Sequence, residues 1–411
     1  MNVNPPKPLR EPLNTALSPC LPIASFLPVL YNGPMEKSTV KKSGPAAIFA
    51  LCPAAWLLAL LGAGLIALFF ALRDDRALMR LLSARVVQPL HHCLARMSTA
   101  LPFSLAESLY AMVIGGTLVY IIVVLLRLRQ PGRAARLWRL LVRLAALALD
   151  VYALFCLLWG VYYYGDDFIA RSGLETGPVS AAELELVTLY FADRLNACST
   201  LVPRDGDGLC CTDRAAVLAR SPLLFRHVER RFPCLAGPEV PVKGMFFSRI
   251  MSYMDFTGFF CPFTAEANVN MDFPEALFAA TAAHELSHQR GVAKEQEANF
   301  VAVLASLESG DPDFCYSACM LAYVHLANAL ARTDPAAQRM IAAGLCEGAR
   351  ADLEASRDYW AGFETPVQAV TDTVYEGFLQ SYGQTLGMKS YGACVELLVA
   401  YYRTEAEACF S

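Results

Sequence analysis

The stretch Thr281-Ala-Ala-His284-Glu285-Leu-Ser-His288-Gln-Arg-Gly291 decides how the larger part of this 411-residue chain is interpreted. Its two histidines are four residues apart, so on a helix they lie on one face, one turn from each other. That spacing lets both imidazoles bind one zinc ion, and Glu285 lies where it can reach a metal-bound water. Gly291 can supply the left-handed residue that ends the helix. The stretch therefore predicts a helix that carries a zinc site.

A catalytic zinc site needs a third protein ligand. No further histidine follows at the spacing of the H-E-x-x-H-x-x-G-x-x-H class, so a glutamate is the natural substitute. Glu295 and Glu297 both lie at the start of the next predicted helix, residues 294–309. We favour Glu297 because Phe300 and Val301 suggest that its helix face is buried, where an unpaired carboxylate would be costly. Glu295 is the alternative ligand, and for Glu297 the alternative role is an ordinary helix-start carboxylate.

The composition indicates that part of the chain lies in a membrane. Hydrophobic residues make up 55% of the chain and charged residues 18%, against about 45–50% and 25% in soluble domains. Three apolar stretches carry the excess, at about residues 46–72, 106–126 and 144–164. Each is close to the roughly 20 residues that a membrane-spanning helix needs. We therefore predict a three-helix transmembrane region over residues 45–164.

Basic residues predict the orientation of these spans. Six arginines and no acidic residue lie between the second and third spans, at residues 127–143, and Lys37, Lys41 and Lys42 precede the first span. Segments of this kind stay in the cytoplasm. Residues 1–44 are then expected to be a disordered cytoplasmic tail. Everything after Tyr164 is expected outside the cytoplasm of a multi-pass protein of the cell membrane.

Residues 165–411 are predicted to form the extracytoplasmic domain. They carry a net charge of −14, against +10 for residues 1–164, and an acidic domain argues against nucleic acid as a partner. Ten cysteines in this part permit disulfides, but no C-x-x-C pair suggests a thiolate zinc site. Helical patterns cover residues 181–196, 215–232, 274–290 and 294–309, and residues 244–270 predict one or two short strands. The expected fold class is a transmembrane α-helical anchor joined to a mainly α, α+β domain.

Several further polar residues are candidates for the site. His325 and Tyr391 could steady an oxyanion, or they could be ordinary core residues. Glu266 and Asn268–Asn270 stand in an apolar stretch, where they could line a substrate or serve in turns and caps. The extended segment 256–270 could pair with a substrate backbone as an edge strand.

These motifs resemble those of known proteins. His284–His288 followed by Glu297-Ala-Asn is similar to the gluzincin type of zinc metallopeptidase, where a glutamate–alanine–asparagine or –aspartate turn carries the third ligand. From about residue 46 onward the chain more closely resembles a bacterial membrane family of unknown function, numbered 3810. The shared segments are Leu101-Pro-Phe-Ser-Leu, Leu158-Trp-Gly-Val-Tyr-Tyr, Cys261-Pro-Phe-Thr-Ala-Glu-Ala-Asn-Val-Asn270, His284–Gly291, Glu295–Phe300 and Lys389-Ser-Tyr391. The resemblance implies three spans and a zincin-like domain, and it implies no substrate.

The sequence thus predicts a membrane-anchored zinc metallopeptidase that acts on a peptide or protein. His284, His288 and Glu297 would hold zinc, and Glu285 would act as general base. The alternative is a zinc-binding membrane sensor or assembly module without hydrolytic activity. A cleavage site inside the membrane is excluded on length, because the apolar run before His284 is only about nine residues, against the roughly 20 that a span needs.

Overall fold

The computed structural model describes residues 51–365, 373, 377 and 391–410. The predicted tail at residues 1–44, the first residues of the predicted span 46–72 and the Lys389-Ser390 pair lie outside the described residues. The described residues from Leu51 onward pack as one unit. Its first six helices are α1 (Pro53–Leu72), α2 (Arg76–Leu82), α3 (Gln88–Ser98), α4 (Leu105–Leu126), α5 (Arg133–Phe155) and α6 (Val161–Tyr164).

Each of the three predicted spans coincides with a helix that is long and apolar enough to cross a membrane. These segments are Pro53–Leu72, Leu105–Arg129 and Arg133–Tyr164. The third of these helices begins at Arg133, before the predicted start at residue 144. The arginine-rich residues that precede the apolar stretch form amphipathic turns of the same helix. Gly62 of α1 lies against α5, where a Cβ atom would be 2.6 Å from Oδ1 of Asp150. A small residue therefore allows the two helices to approach closely around the one charged side chain of the third apolar stretch.

The remaining helices build the domain after Tyr164. They are α7 (Phe168–Ser172), α8 (Ala181–Ser199), α9 (Arg214–Arg220), α10 (Val228–Arg231), α11 (Ser248–Tyr253), α12 (Phe278–Gln289), α13 (Glu295–Ser309), α14 (Pro312–Thr333), α15 (Pro335–Ala343), α16 (Glu347–Ala361) and α17 (Tyr391–Phe410). The predicted helices at 181–196, 274–290 and 294–309 are confirmed, and Ser180 and Glu183 cap the first of them reciprocally. The prediction of one helix over 215–232 is wrong, because Pro222 divides it into two short helices. No disulfide joins the cysteines of the described part.

A fourth helix, α14, is also long and apolar enough to cross a membrane. Of its most apolar segment 72% is buried within the protein, against 22%, 6% and 28% for the other three segments. It packs against α8, α13 and α17, and Phe314, Met320 and Leu326 belong to the main hydrophobic core. Its apolar surface is therefore used inside the domain.

The strands predicted within residues 244–270 form a small sheet. β1 (Lys243–Gly244) pairs in parallel with β3 (Glu266–Val269), which pairs antiparallel with β2 (Gly258–Cys261), so the order is β1-β3-β2. The helix α11 lies in the same segment and was not predicted. All four residues of β3 are buried, because α12 packs on the sheet.

Buried polar side chains fasten this sheet to the start of α4. Glu266 accepts hydrogen bonds from the backbone N–H groups of Leu105 (3.1 Å) and Ala106 (2.7 Å). Lys243, whose Nζ lies 3.5 Å from Glu266, donates to the carbonyl oxygens of Ser98 and Phe103. The first turn of a membrane helix therefore obtains its hydrogen-bond partners from the domain.

Replacing Glu266 with alanine should destabilise the whole protein. Glu266 is 2% exposed and Lys243 6%, and removal of one partner from a buried ion pair costs about 3 kcal/mol or more. The measurement is denaturant unfolding of the full chain in mixed micelles. The exposed Glu354→Ala change is the matched control, with an expected effect below about 0.5 kcal/mol. Equal effects of the two substitutions would show that the anchor contributes no stability.

Candidate metal centre

The predicted metal-site helix forms as α12, and it ends where the sequence indicates. Gly291 has φ = +77°, the left-handed conformation that glycine adopts without strain. A Cβ atom at Gly291 would lie 2.9 Å from the ring of Tyr162 and 3.2 Å from Oε1 of Gln88. The turn is thus too closely packed for a side chain. The chain reverses there and returns beside α12 as α13.

This reversal brings three side chains to one point. Nε2 of His284 lies 3.0 Å from Nε2 of His288. Oε2 of Glu295 lies 3.2 Å from Nε2 of His284 and 3.6 Å from Nε2 of His288. Within the described part of the chain, this is the one set of three or more potential metal ligands whose atoms lie within 4.8 Å of one another.

Neighbouring oxygens fix the orientation of both imidazole rings. Nδ1 of His288 lies 2.7 Å from the carbonyl oxygen of Val292, and Nδ1 of His284 lies 2.8 Å from Oδ1 of Asn299. A proton on each Nδ1 satisfies these acceptors and leaves the Nε2 lone pairs directed at the shared point. Such outer hydrogen bonds hold metal-binding histidines in the required tautomer.

The third potential ligand at this point is the carboxylate of Glu295. It is not that of Glu297, which the sequence favours. Residues two positions apart on a helix are separated by about 200° around its axis. The side chains of Glu295 and Glu297 therefore leave α13 on opposite faces. Oε2 of Glu297 instead accepts a hydrogen bond from the N–H of Phe168 at 2.7 Å, and burial, together with Asp167, raises the pKa of Glu297 to about 7. Glu297 is buried, as expected, but it contacts the start of α7. We therefore move the third-ligand assignment to Glu295.

Glu285 occupies a buried position under the sheet. Its side chain lies against Gly258 of β2, where a Cβ atom would be only 2.6 Å from Oε1. Its other oxygen, Oε2, has no hydrogen-bond partner among the described residues. Burial raises the pKa of Glu285 to about 7, although the two histidines oppose this shift. A carboxylate with this pKa can both accept and donate a proton near neutral pH.

Charge within the cluster is balanced between Glu295 and the histidines. Burial alone would lower the pKa of His288, but the carboxylates of Glu295 and Glu285 raise it to about 9. Burial alone would raise the pKa of Glu295, but the two histidines hold it well below its usual range. Glu295 is therefore an anion in a position that requires a neighbouring cation.

The donor set fits a zinc ion. Two imidazole nitrogens and one carboxylate oxygen are a common ligand set of catalytic zinc sites, and ligands of a tetrahedral zinc lie about 3.3 Å apart. The three separations here, 3.0, 3.2 and 3.6 Å, bracket that value. The unpaired oxygen of the buried Glu285 also needs a polar partner at this place.

Residues of the predicted third span and of α3 form one wall of the cluster. The ring of Trp159 meets the ring of His288 edge-on, with 5.7 Å between centroids, and also packs on Phe260 of β2. Nε2 of Gln88 donates to the carbonyl oxygen of Arg290, at the end of α12. The end of the predicted third span, α3 and the cluster are therefore parts of one packed structure.

A cleft of about 270 Å³ opens on the cluster from the other side. His284, Glu295 and Asn299 line its polar end. Four large apolar side chains line most of the rest, together with Ala280 and two threonines; these four are Phe273, Leu277, Leu321 and Trp360. The cleft thus offers space for a mainly apolar group beside the potential metal ligands.

The other polar candidates whose side chains the structure describes do not line this cleft. His325 is buried on α14, one turn beyond Leu321, and the side chain of Tyr391 lies outside the described residues. Glu266 anchors α4, while Asn268 pairs with Ser104 and Asn270 with the carbonyl oxygen of Phe256. These three therefore serve in caps and turns, which is the alternative that the sequence analysis gives for them.

Three residues of the centre were missed in the sequence. Asn299 follows Glu295 by four residues, so the two polar side chains share one face of α13, and this spacing was a usable signal. Trp159 and Gly258 contact His288 and Glu285 only through the tertiary fold. No local pattern marks them.

The fold and the cluster define a mostly helical, membrane-associated protein with a two-histidine, two-glutamate centre. Residues 83–399 match the family described as protein of unknown function (DUF3810), and the chain belongs to that family. No curated protein and no solved structure matches it significantly.

Exchange of single glutamates distinguishes the two candidate ligands. Glu295→Gln should weaken zinc binding by more than the roughly 10- to 100-fold that follows loss of an outer-shell partner, because it removes a ligand atom. Glu297→Gln should retain zinc, since its amide oxygen can still accept from Phe168. The measurement is the metal content and zinc titration of the full chain in nanodiscs. Loss of zinc in Glu297→Gln alone would restore Glu297 as the ligand, and a wild type without zinc would remove the metal assignment.

Proposed function

We propose that this protein is a membrane-anchored zinc metallopeptidase. The observation that carries the proposal is the convergence of His284, His288 and Glu295 on one point, with the buried carboxylate of Glu285 beside the first histidine. A site that only stabilises a fold has no need of an additional buried glutamate. In this site that glutamate has one unpaired oxygen and a pKa near neutrality.

Chemical roles follow from these positions. Zinc, when bound by the three side chains, supplies Lewis acidity that activates water and polarises a carbonyl group. Oε2 of Glu285 accepts the proton of the attacking water and returns it to the leaving amine. Asn299 and the carbonyl oxygen of Val292 hold the two imidazoles in place. The ring of Trp159 excludes water from the side of His288.

The surroundings of the site favour an extended peptide as substrate. β2 lies at one end of the strand order, so one of its edges faces away from β3. An extended chain can add to such an edge through backbone hydrogen bonds, and Gly258 of this strand adjoins Glu285. The cleft beyond His284 is lined mainly by apolar and aromatic side chains, which suit an apolar side chain of the substrate.

The contacts of the domain support an extracytoplasmic position. The domain packs on Phe69, Trp159 and Tyr162. These residues lie near those ends of the proposed spans that are next to α2 and α3. The arginine-rich segment 127–143 lies at the opposite ends of α4 and α5, and such segments stay in the cytoplasm. We further propose three spans, because α14 is largely buried inside the domain.

Replacing Glu285 with glutamine should separate metal binding from catalysis. The amide keeps the volume but cannot accept a proton, so peptide cleavage should fall by about 10²- to 10⁴-fold. Zinc content should stay at the wild-type level. The assay is cleavage of a broad peptide library by the full chain in nanodiscs, with zinc content measured in parallel.

Glu354→Gln, an exposed change, is the control and should alter neither property. A wild type that holds zinc and cleaves nothing would favour a zinc-binding sensor or assembly module instead. Unchanged cleavage by Glu285→Gln would remove Glu285 from the mechanism.

Gly258→Ala should also impair peptide cleavage, because Gly258 of β2 lies against the carboxylate of Glu285. The new methyl group would lie 2.6 Å from Oε1 of Glu285 and 2.8 Å from the carbonyl oxygen of Asn268. Displacement of the carboxylate should lower kcat/KM at least about tenfold, which corresponds to about 1.4 kcal/mol, with zinc retained. Gly177→Ala, where the methyl group meets nothing within 4 Å, is the matched control. Equal activity of the two variants would show that β2 does not position Glu285.

A further inference from the structure

The short helix α11 has the reverse of the usual polarity. Its inward face carries Ser248, Met251 and Ser252, which are all buried. Oγ of Ser248 accepts from the N–H of Met271 at 2.8 Å, and Oγ of Ser252 accepts from Nδ2 of Asn270 at 2.9 Å. Helices on soluble domains direct apolar residues inward and polar residues outward. In α11 hydrogen-bonded serines take the inner positions instead.

The outward face of this segment is mainly apolar, although it also carries Arg249, which pairs with Asp272 at 2.9 Å, and the exposed Asp255. Its apolar part consists of Phe246 (84% exposed), Phe247 (47%), Ile250 (55%), Tyr253 (43%) and Met254 (38%), which we call the α11 patch. Nine large apolar side chains are exposed among the described residues after Tyr164, and five of them lie in this stretch of nine residues. A cluster of this kind marks an interaction surface, whereas single exposed apolar residues do not.

The position of the patch identifies its partner. The N–H groups of Phe246 and Phe247 donate to the carboxylate of Glu107, at 3.0 and 2.7 Å. Glu107 lies in the first turn of α4, directly before the charge-free residues 108–126. Farther along α4 the exposed side chains are those of a lipid-facing helix, such as Met112 (72%) and Val119 (60%). The patch therefore continues the apolar surface of a span at the point where the span emerges.

Neighbouring residues extend the same surface. Phe103, just before α4, is 51% exposed, and Met97, near the end of α3, is 67% exposed. Aromatic side chains are favoured at the boundary between lipid and water. A short helix with an apolar outer face at that depth lies in the plane of the membrane interface.

We propose that the α11 patch inserts into the lipid leaflet at the emerging end of α4 and forms a second, non-spanning membrane contact of the domain. The inference depends on α4 as a span but not on zinc or on peptidase activity. Its consequence concerns the site, because α11 leads within a few residues to Thr257 and Gly258, beside the cleft and Glu285. Insertion of the patch would hold this side of the domain against the membrane surface.

Site-specific photo-crosslinking tests the proposal. The photoreactive amino acid benzoylphenylalanine replaces Phe246 or Ile250 in the full chain, which is reconstituted in nanodiscs of alkyne-tagged phosphatidylcholine. Val119 on α4 is the lipid-exposed reference. Met340 on α15, which is 71% exposed and apolar, is the matched control in the domain. Lipid adducts at Phe246 and Ile250 should approach the Val119 level and exceed the Met340 level at least fivefold.

Two outcomes would overturn the proposal. Lipid adducts at the Met340 level, while Val119 reacts strongly, would show that the patch does not meet lipid. Adducts between two copies of the chain would identify the patch as a protein interface. Circular dichroism of each variant confirms that the crosslinked protein is folded.

Discussion

The reversal at Gly291 is the constraint on which the centre depends. Without it α13 could not return beside α12, and Glu295 would not reach the two histidines. The reversal needs a positive φ angle and also the absence of a side chain, because Tyr162 and Gln88 occupy the space around it. Both of these residues belong to the part of the chain that contains the predicted spans. The turn that shapes the centre is therefore packed directly against the part of the chain that contains the predicted spans.

In this arrangement the part of the chain that contains the predicted spans also contributes contacts to the centre. Trp159 lies on His288, Gln88 binds the end of α12, and Glu266 and Lys243 hold the region where α4 begins. A domain tethered by a flexible linker would not require such contacts. The ring of Trp159 is the direct contact between the predicted third span and the imidazole of His288. For this reason the properties of the centre belong to the full chain, and residues 165–411 alone would lack a wall of the site.

The sequence predicts the features that follow from the periodicity of its residues. It does not predict the features that depend on which way a particular side chain points. The long apolar helices, the helix of His284 and His288 and its end at Gly291 follow from local patterns, and the structure contains each of them. The choice of Glu297 relied on burial, which is correct, but burial does not reveal whether the partner is a metal or the N–H of Phe168. The helix α11 was missed because its serines face inward, whereas its Ile250 and Tyr253 and the preceding Phe246 and Phe247 face outward. If the outer side of the segment is assumed to face water, this pattern does not match a helix. It then indicates a strand or a loop.

Two glutamates in one site acquire different properties from their neighbours alone. Glu295 faces both imidazoles, and their charge keeps its pKa low despite burial. Glu285 is on the same helix as these imidazoles but lies against the backbone of β2, where burial outweighs their charge and raises its pKa. Carboxylates whose pKa values are separated in this way can divide ligand and proton-transfer roles. The division arises from the strand that covers Glu285 and from the turn that delivers Glu295. Both arrangements suit the proposed chemistry of the site.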